Sequence, residues 1–384
     1  MNIAIIGGNV AGLAAAILIK QKHPQHSIIV YERKAVRNKK VCGNAISLDF
    51  LQYLTKNDIF LRESHYNSEL LLCDDHSTKV TKIDCGFVII DREELHAQLL
   101  TKARSLGIPI EEQQICLEDI HSLAHFVIVA AGNHKISQTC LQNRTHYLRK
   151  NTTLVIRCDG RFPAAFTTTI KDANIICWDL TKNGYFWLFQ GDYIETPRTA
   201  AYEPFVHDQR HLNYGYGGAR CAPHELRNRC SYLIDHLAQV IRVTLPKAVD
   251  FEGVHLSLPL DKRKIAMYRQ TREHTFIGVG DAIGVAHPVL GAGIEPAWLT
   301  ATLLADCTTE TTIDYRTYQG LVAKNLHQLY YAKHKYHLLT QSRSWWFRLI
   351  PLRLKAPLMR RMLTRIFTES LTTNLFTPII KRSN

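Results

Sequence analysis

The sequence predicts an α/β protein: a parallel-stranded unit assembled from separated segments, a β-rich domain inserted between them, and a helical C-terminus. Three observations predict it. Residues 3–32 run strand, small-residue turn, apolar helix, strand. Residues 151–260 are rich in β-branched and aromatic side chains that alternate with period two. Residues 275–305 return to strand, glycine-rich loop and helix. The parallel-stranded unit is therefore expected from 1–150 and 262–310, the β-rich domain from 151–261, and a helical, basic tail from 311–384.

The first element is the apolar strand Ile3-Ala4-Ile5-Ile6, followed by the turn Gly7-Gly8-Asn9-Val10-Ala11-Gly12 and an apolar helical run to Ile19. A second strand, Ile28-Ile29-Val30-Tyr31, ends in Glu32, with Arg33 next. Small residues let a backbone approach a pyrophosphate, and a helix start presents free N–H groups and a positive dipole end to it. An acid after the second strand can accept hydrogen bonds from a ribose. The unit thus reads as a Rossmann-like dinucleotide site, although Asn9 stands where the middle glycine of G-x-G-x-x-G is expected. Asn tolerates left-handed backbone better than most residues.

A basic stretch from Arg33 to Lys40 leads to Val41-Cys42-Gly43-Asn44. Residues 48–60 read as a helix. Residues 69–73 and 78–83 read as short strands, joined as a hairpin through Asp74-Asp75. Phe87 to Ile90 leads into Asp91, a good N-cap for a helix that runs to Leu106 and ends at Gly107. Residues 125–130 form a buried strand closing on Ala131-Gly132. Strands are expected at 174–180 and 184–190, a helix at 224–244, a strand at 275–279 and a helix at 294–304, with helix thereafter.

Composition narrows the class. The chain of 384 residues is 46% hydrophobic and 21% charged, ordinary for a globular protein. It has no apolar run long enough for a transmembrane helix, and Met1 leads almost directly into the first strand, so no secretory leader is expected. The ten cysteines show no C-x-x-C spacing and the nineteen histidines no H-E-x-x-H, so no metal site is signalled. The net charge is +13, and from Lys333 onward there are eleven basic residues against the single acid Glu369. Two readings of residues 342–384 stand side by side. Trp345 and Trp346 beside a basic amphipathic helix suit a membrane surface bearing anionic lipid. The same helix could pack on the β-rich domain with a solvated face. No recognisable nucleic-acid module accompanies the charge, so no nucleic acid is expected as partner. The expected location is the cytoplasm, or the inner face of a membrane if the tail binds lipid.

The second chemistry-bearing segment is Gly280-Asp281-Ala282-Ile283-Gly284, continuing through His287 and Pro288 to Gly291-Ala292-Gly293-Ile294. A carboxylate at a strand end can accept hydrogen bonds from polyol hydroxyls. A glycine turn opening a helix brings N–H groups close to a flat ring that gains negative charge on reduction. With the N-terminal unit, this segment resembles the FAD-dependent oxidoreductases of the para-hydroxybenzoate hydroxylase-like superfamily, and within it the geranylgeranyl reductase family. The resemblance covers roughly residues 1–305. It implies FAD as cofactor, held by Gly7, Gly8, Asn9, Ala11, Gly12, Glu32, Arg33, Arg92, Gly132, Gly280, Asp281, Pro288, Gly291, Ala292, Gly293 and Ile294, with NAD(P)H or another reductant as electron donor.

Two further places carry the likeness. Cys42-Gly43 resembles the C-G-G that opens a loop near the flavin in the reductases, with Asn44 as third residue. Cys42 is thereby a candidate catalytic residue, as proton donor or substrate contact, and a structural role stands beside that. Tyr185-Phe186-Trp187-Leu188-Phe189 resembles the Y-x-W-x-F-P substrate-cavity motif, with Gln190 for the proline, and is also similar to the W-x-W-x-I-P of flavin-dependent halogenases. On a strand Tyr185, Trp187 and Phe189 share one face, so they wall either an apolar substrate pocket or an ordinary sheet core. The family's A-D-G is Ala130-Ala131-Gly132 here. His134 and His287 are the nearest proton donors in these motifs, more readily read as packing residues. The expected function is an FAD-dependent oxidoreductase acting on a small apolar or aromatic substrate. Its two forms are a reductase of a C=C bond and a monooxygenase or halogenase; the rival from another class is a non-catalytic flavoprotein that binds a lipid or partner.

Overall fold

The computed structural model describes residues 1–33, 41–61, 66–75, 77–132, 134–142, 152–163, 174–179, 184–191, 209–218, 223–242, 245, 250–257, 266–287 and 291–326. Its strands are β1 (Asn2–Ile6), β2 (Ser27–Glu32), β3 (Ala45–Ser47), β4 (Tyr66–Asp74), β5 (Ser77–Ile89), β6 (Ile110–Glu112), β7 (Phe126–Val129), β8 (Thr152–Pro163), β9 (Asn174–Asp179), β10 (Gly184–Gly191), β11 (Gln209–Gly218), β12 (Glu252–Ser257), β13 (Tyr268–Gln270) and β14 (Thr275–Gly278). Its helices are α1 (Val10–Lys22), α2 (Leu48–Lys56), α3 (Arg92–Ser105), α4 (Lys135–Cys140), α5 (Pro223–Ile241), α6 (Ile294–Asp306) and α7 (Tyr315–Asn325).

Two sheets organise the chain. The first has the order β13-β14-β7-β1-β2-β6. It is parallel except for the edge hairpin of β13 with β14. Parallel strands need crossovers, and α1 supplies the one from β1 to β2. Residues Val10 to Ile19 of α1 are all buried, as are Pro296 to Ala305 of α6. A helix apolar on every side belongs inside, and these two pack on each other beside the sheet. Helix α7 closes this core, its Tyr318 hydroxyl donating to the Gly278 carbonyl at 2.8 Å.

The second sheet has eight strands in the order β12-β8-β11-β10-β9-β4-β5-β3. It is antiparallel except where β4 runs parallel to β9. One face packs on α5: Phe186, Leu188, Leu212, Tyr214 and Tyr216 meet Leu226, Leu233 and Leu237 in a second core.

The sequence reading is corrected in three places. Residues 45–89 supply three strands to the second sheet and none to the first, so that sheet is not confined to 151–261. The physical reason is that β4 finds its second neighbour in β9, far along the chain, a pairing no local pattern encodes. The strand expected at 78–83 is longer: β5 runs unbroken from Ser77 to Ile89. The helix from residue 48 ends at Lys56 rather than Phe60, because Asp58 turns the chain at φ +57°.

Candidate functional site

The β1–α1 turn is built by sterics that leave glycine little alternative. Gly7 lies at φ +107°, and a Cβ there would fall 2.7 Å from the Ala130 carbonyl carbon and oxygen. A Cβ on Gly12 would fall 1.9 Å from the Gly7 carbonyl oxygen, so the first turn of α1 presses directly on the loop. Glu32 closes the far side: its Oε2 accepts from the Gly8 N–H at 2.7 Å, and it is buried at the end of β2. Arg33, next to it, is exposed.

Asn9 justifies its departure from glycine in a different way from the one expected. Its backbone is extended (φ −90°, ψ −172°) rather than left-handed. Its Oδ1 caps α1 by accepting from Val10 N at 2.8 Å, and also accepts from Arg92 Nη2 at 2.9 Å. Arg92 begins α3, whose N-cap Asp91 accepts from the N–H groups of Glu93 and Glu94. One turn on, His96 Nε2 donates to the Gly8 carbonyl at 2.9 Å. Helix α3 therefore clamps the turn from outside by two side chains.

The second glycine segment is brought against this turn. Gly280 (φ +61°) follows β14, and a Cβ there would lie 2.7 Å from the Ala11 Cβ of α1 and 3.3 Å from the Ala297 Cβ of α6. Its N–H donates to Thr300 Oγ1 at 3.0 Å. Asp281 then stands beside Gly132: a Cβ on Gly132 (φ +60°) would be 3.8 Å from the Asp281 Cβ, and one on Gly293 3.5 Å from Asp281 Oδ1. The loop to α6 closes on itself, with His287 N–H donating to Ala292 O and Gly291 N–H to His287 O, both at 2.8 Å. Ala292 is exposed, and Ile294 is the buried first residue of α6. Pro288 lies outside the described residues.

Two titratable groups flank this loop. Burial holds the His287 imidazole neutral, its pKa pushed down to about 3. That makes it a poor proton donor. Burial pushes the Glu295 carboxyl up, against the Ser47 N–H that donates to its Oε1 at 2.5 Å. Ser47 also caps α2, so Glu295 ties the start of α6 to the end of β3.

The loop of Cys42, Gly43 and Asn44 joins both parts to the second sheet. Cys42 Sγ accepts from the Asn44 N–H at 3.3 Å and from Arg92 Nη1 at 3.6 Å. Its carbonyl accepts from Asn213 Nδ2 at 2.9 Å and from Arg157 Nη1 at 3.2 Å. Asn213 Oδ1 in turn accepts from Trp187 Nε1 at 2.9 Å. Arg157 is balanced by Asp159 at 3.0 Å and Glu252 at 2.8 Å. Gly43 lies flat on the aromatics, since a Cβ there would be 2.9 Å from Phe189 Cε2. Gly215, directly across from Trp187, makes room for the indole.

The strand alternation of β10 thus resolves as two faces. Phe186 and Leu188 enter the core under α5. Tyr185, Trp187 and Phe189 turn the other way, and Trp187 and Phe189 meet the Cys42 loop. Tyr185 is half-buried, with its ring 5.9 Å from Trp187 and 5.7 Å from Trp178. Sequence reasoning missed Asn213, Arg157, His96 and Glu295. Their partners are mostly main-chain atoms, which leave no side-chain pattern to find. The tail at 342–384 lies outside the described residues, and among the described residues no helix is long and apolar enough to cross a membrane.

No protein-family model and no curated protein matches the sequence. Solved structures match it in shape. A geranylgeranyl bacteriochlorophyll reductase-like protein from Thermoplasma acidophilum superimposes with a TM-score of 0.65 at 13% identity, over 99% of this chain and 98% of that one. CtdE in complex with FAD and a substrate does so at 0.56 and 14%, over 96% and 100%. The flavin-dependent brominase Bmp2, as a triple mutant, does so at 0.59 and 10%, over 95% and 94%. The chain is thus similar along nearly its whole length to all three, and it has the two-sheet α/β fold that they share.

Proposed function

We propose that this chain is an FAD-dependent oxidoreductase, and that it acts as a reductase on a C=C bond of an apolar substrate with NAD(P)H or another reductant as electron source. One observation carries the reading: two glycine segments far apart in sequence meet at Gly280 and Ala11, and the Cys42 loop links them to the aromatic face of β10. The residues fit the cofactor. Gly7, Gly8 and Gly12 let the chain close a tight cradle, since side chains there would strike Ala130, Glu32 and the Gly7 carbonyl, and it lies at the N-terminus of α1, where an anion is favoured. Glu32 and Asp281 place carboxylates on either side of that cradle, suited to ribose and polyol hydroxyls.

Bound there, FAD would supply the two-electron transfer. The chain's own residues orient and enclose. The start of α6 at Ile294 directs its dipole toward the loop of Gly291 and Gly293. Trp187, fixed by Asn213, and Phe189 offer an apolar wall, consistent with a substrate lacking charge. Cys42 is held with its sulfur on Arg92 and its carbonyl on Asn213 and Arg157. Its role is then first to position the loop, with proton donation as the further proposal.

Purified protein should be yellow. Asp281→Ala should weaken flavin binding roughly ten- to a hundredfold, the loss of about 1.5–3 kcal/mol expected for hydrogen bonds to a charged group. Full flavin content in the variant would remove Asp281 from the site. A second reading, oxygenation or halogenation of an aromatic substrate, draws on the ring wall of Trp178, Tyr185 and Trp187, which suits a flat ring. Substrate-dependent oxygen consumption separates it from the reductase. A flavin that turns over under neither condition favours a non-catalytic binding protein.

A further inference from the structure

We propose that His121, Glu273 and His274 form a zinc-type transition-metal site at the foot of the first sheet, away from the glycine cradle. Glu273 and His274 lie in the turn between β13 and β14; His121 lies in the 3-10 turn Glu118–Ser122 that precedes β7. All three are at the amino-terminal ends of β7 and β14, whereas Gly132 and Gly280 follow the carboxyl ends of the same strands. The inference is independent of the proposed function.

His274 carries the argument. It is only 5% exposed. Its Nδ1 faces the Ala124 carbonyl at 3.1 Å, so Nδ1 is the protonated nitrogen and Nε2 bears the lone pair. Nε2 is itself buried and has no hydrogen-bond partner. A buried acceptor left in that state is costly, and a cation relieves the cost. Metal-ligating histidines usually have this arrangement, one ring nitrogen anchored on a carbonyl and the other turned to the ion. The remaining donors are in place. Glu273 Oε2 is 3.9 Å from His274 Nε2 and 3.3 Å from His121 Nδ1, and the three ligand atoms lie within 4.8 Å of one another.

A tetrahedral ion with bonds of about 2.0–2.2 Å sets its ligands about 3.3–3.6 Å apart. The cluster needs only small rotations of His121 and Glu273 to reach this, and their side chains are 78% and 67% exposed. The turn that presents them is stiff. His274 N–H donates to Thr271 Oγ1 at 2.9 Å, Thr271 N–H to His274 O at 2.8 Å, and His125 Nδ1 to the Glu273 carbonyl at 2.8 Å. Two imidazoles and one carboxylate favour zinc, cobalt, nickel or copper over magnesium or calcium. Three protein ligands leave a fourth position for water or another ligand. The ligands come from segments well apart in the chain, which is why their spacing gave no signal.

The test uses the full chain, stripped with chelator and titrated with zinc by calorimetry, and with cobalt followed by visible absorption. One tight zinc per chain is expected in the wild type. His121→Ala and Glu273→Gln, both exposed and harmless to the core, should each weaken it at least tenfold, and zinc should raise the melting temperature of the wild type more than that of either variant. Other cysteines and histidines are identical in all three proteins, so their contribution cancels. If either variant binds zinc as tightly as the wild type, or the wild type retains none at micromolar concentration, the site does not exist.

Discussion

Burial keeps His287 uncharged in the folded chain, and the sign of its effect on stability follows. The unfolded imidazole takes up a proton near 6.5, whereas the folded one refuses it until about 3. Stability is therefore full above pH 6.5 and is lost as pH falls toward 3. At pH 5 the loss should be about 2 kcal/mol relative to pH 7. His287→Asn should remove most of that difference, read from urea unfolding at the two pH values; an unchanged difference would mean another group is responsible. At this scale the sequence was legible where sterics dictate a residue. Gly7 and Gly12 were recognisable because the backbone leaves no room for a side chain. Asn213 and Arg157 were not, because what they hold is the Cys42 carbonyl, and every residue has a carbonyl.

Helix α5 is fixed to its sheet by a clamp that hydrophobic patterning does not reveal. Arg229 Nε donates to Asp179 at 2.7 Å and Nη2 to Asp75 at 3.1 Å, while its guanidinium stacks 4.4 Å from the Tyr232 ring. The Tyr216 hydroxyl also donates to Asp179. Both carboxylates are almost wholly buried. Removing the cation takes the counter-charge from two buried carboxylates, so Arg229→Leu should cost about 3–5 kcal/mol in chemical unfolding, while Tyr232→Phe should cost little. A loss below about 1 kcal/mol would show that the aspartates find other partners. The helix itself was legible: it was expected over 224–244 and runs over Pro223–Ile241. So were most strands, because alternation is a local property. Their partners were not: β4 reads as half of a hairpin, which it is, and nothing in it announces β9.

For the whole molecule, the basic tail is the largest concentration of one sign of charge in the sequence. Each basic residue near an anionic surface contributes about 1 kcal/mol, so three engaged residues would alter membrane partitioning about a hundredfold. Deleting residues 342–384 should lower binding to anionic liposomes by that order and leave flavin content unchanged. Equal partitioning would assign the tail to packing on the second sheet. The β-rich character of the segment after residue 151 was visible in the sequence because its side chains alternate with period two. The way the units share the chain was not, since strand order is decided by packing between distant segments.

That sharing has a consequence for synthesis. As the ribosome releases the chain, β3, β4 and β5 emerge long before β9, the neighbour that covers the open side of β4. The first sheet likewise waits for β14 before β7 has both its companions. The second sheet holds a bare margin on β4 until β9 is made, and the first holds one on β7 until β14, which follows the last strand of the second sheet. Splitting this gene into two separately expressed fragments would leave those margins exposed, so both pieces should clump where the intact polypeptide folds.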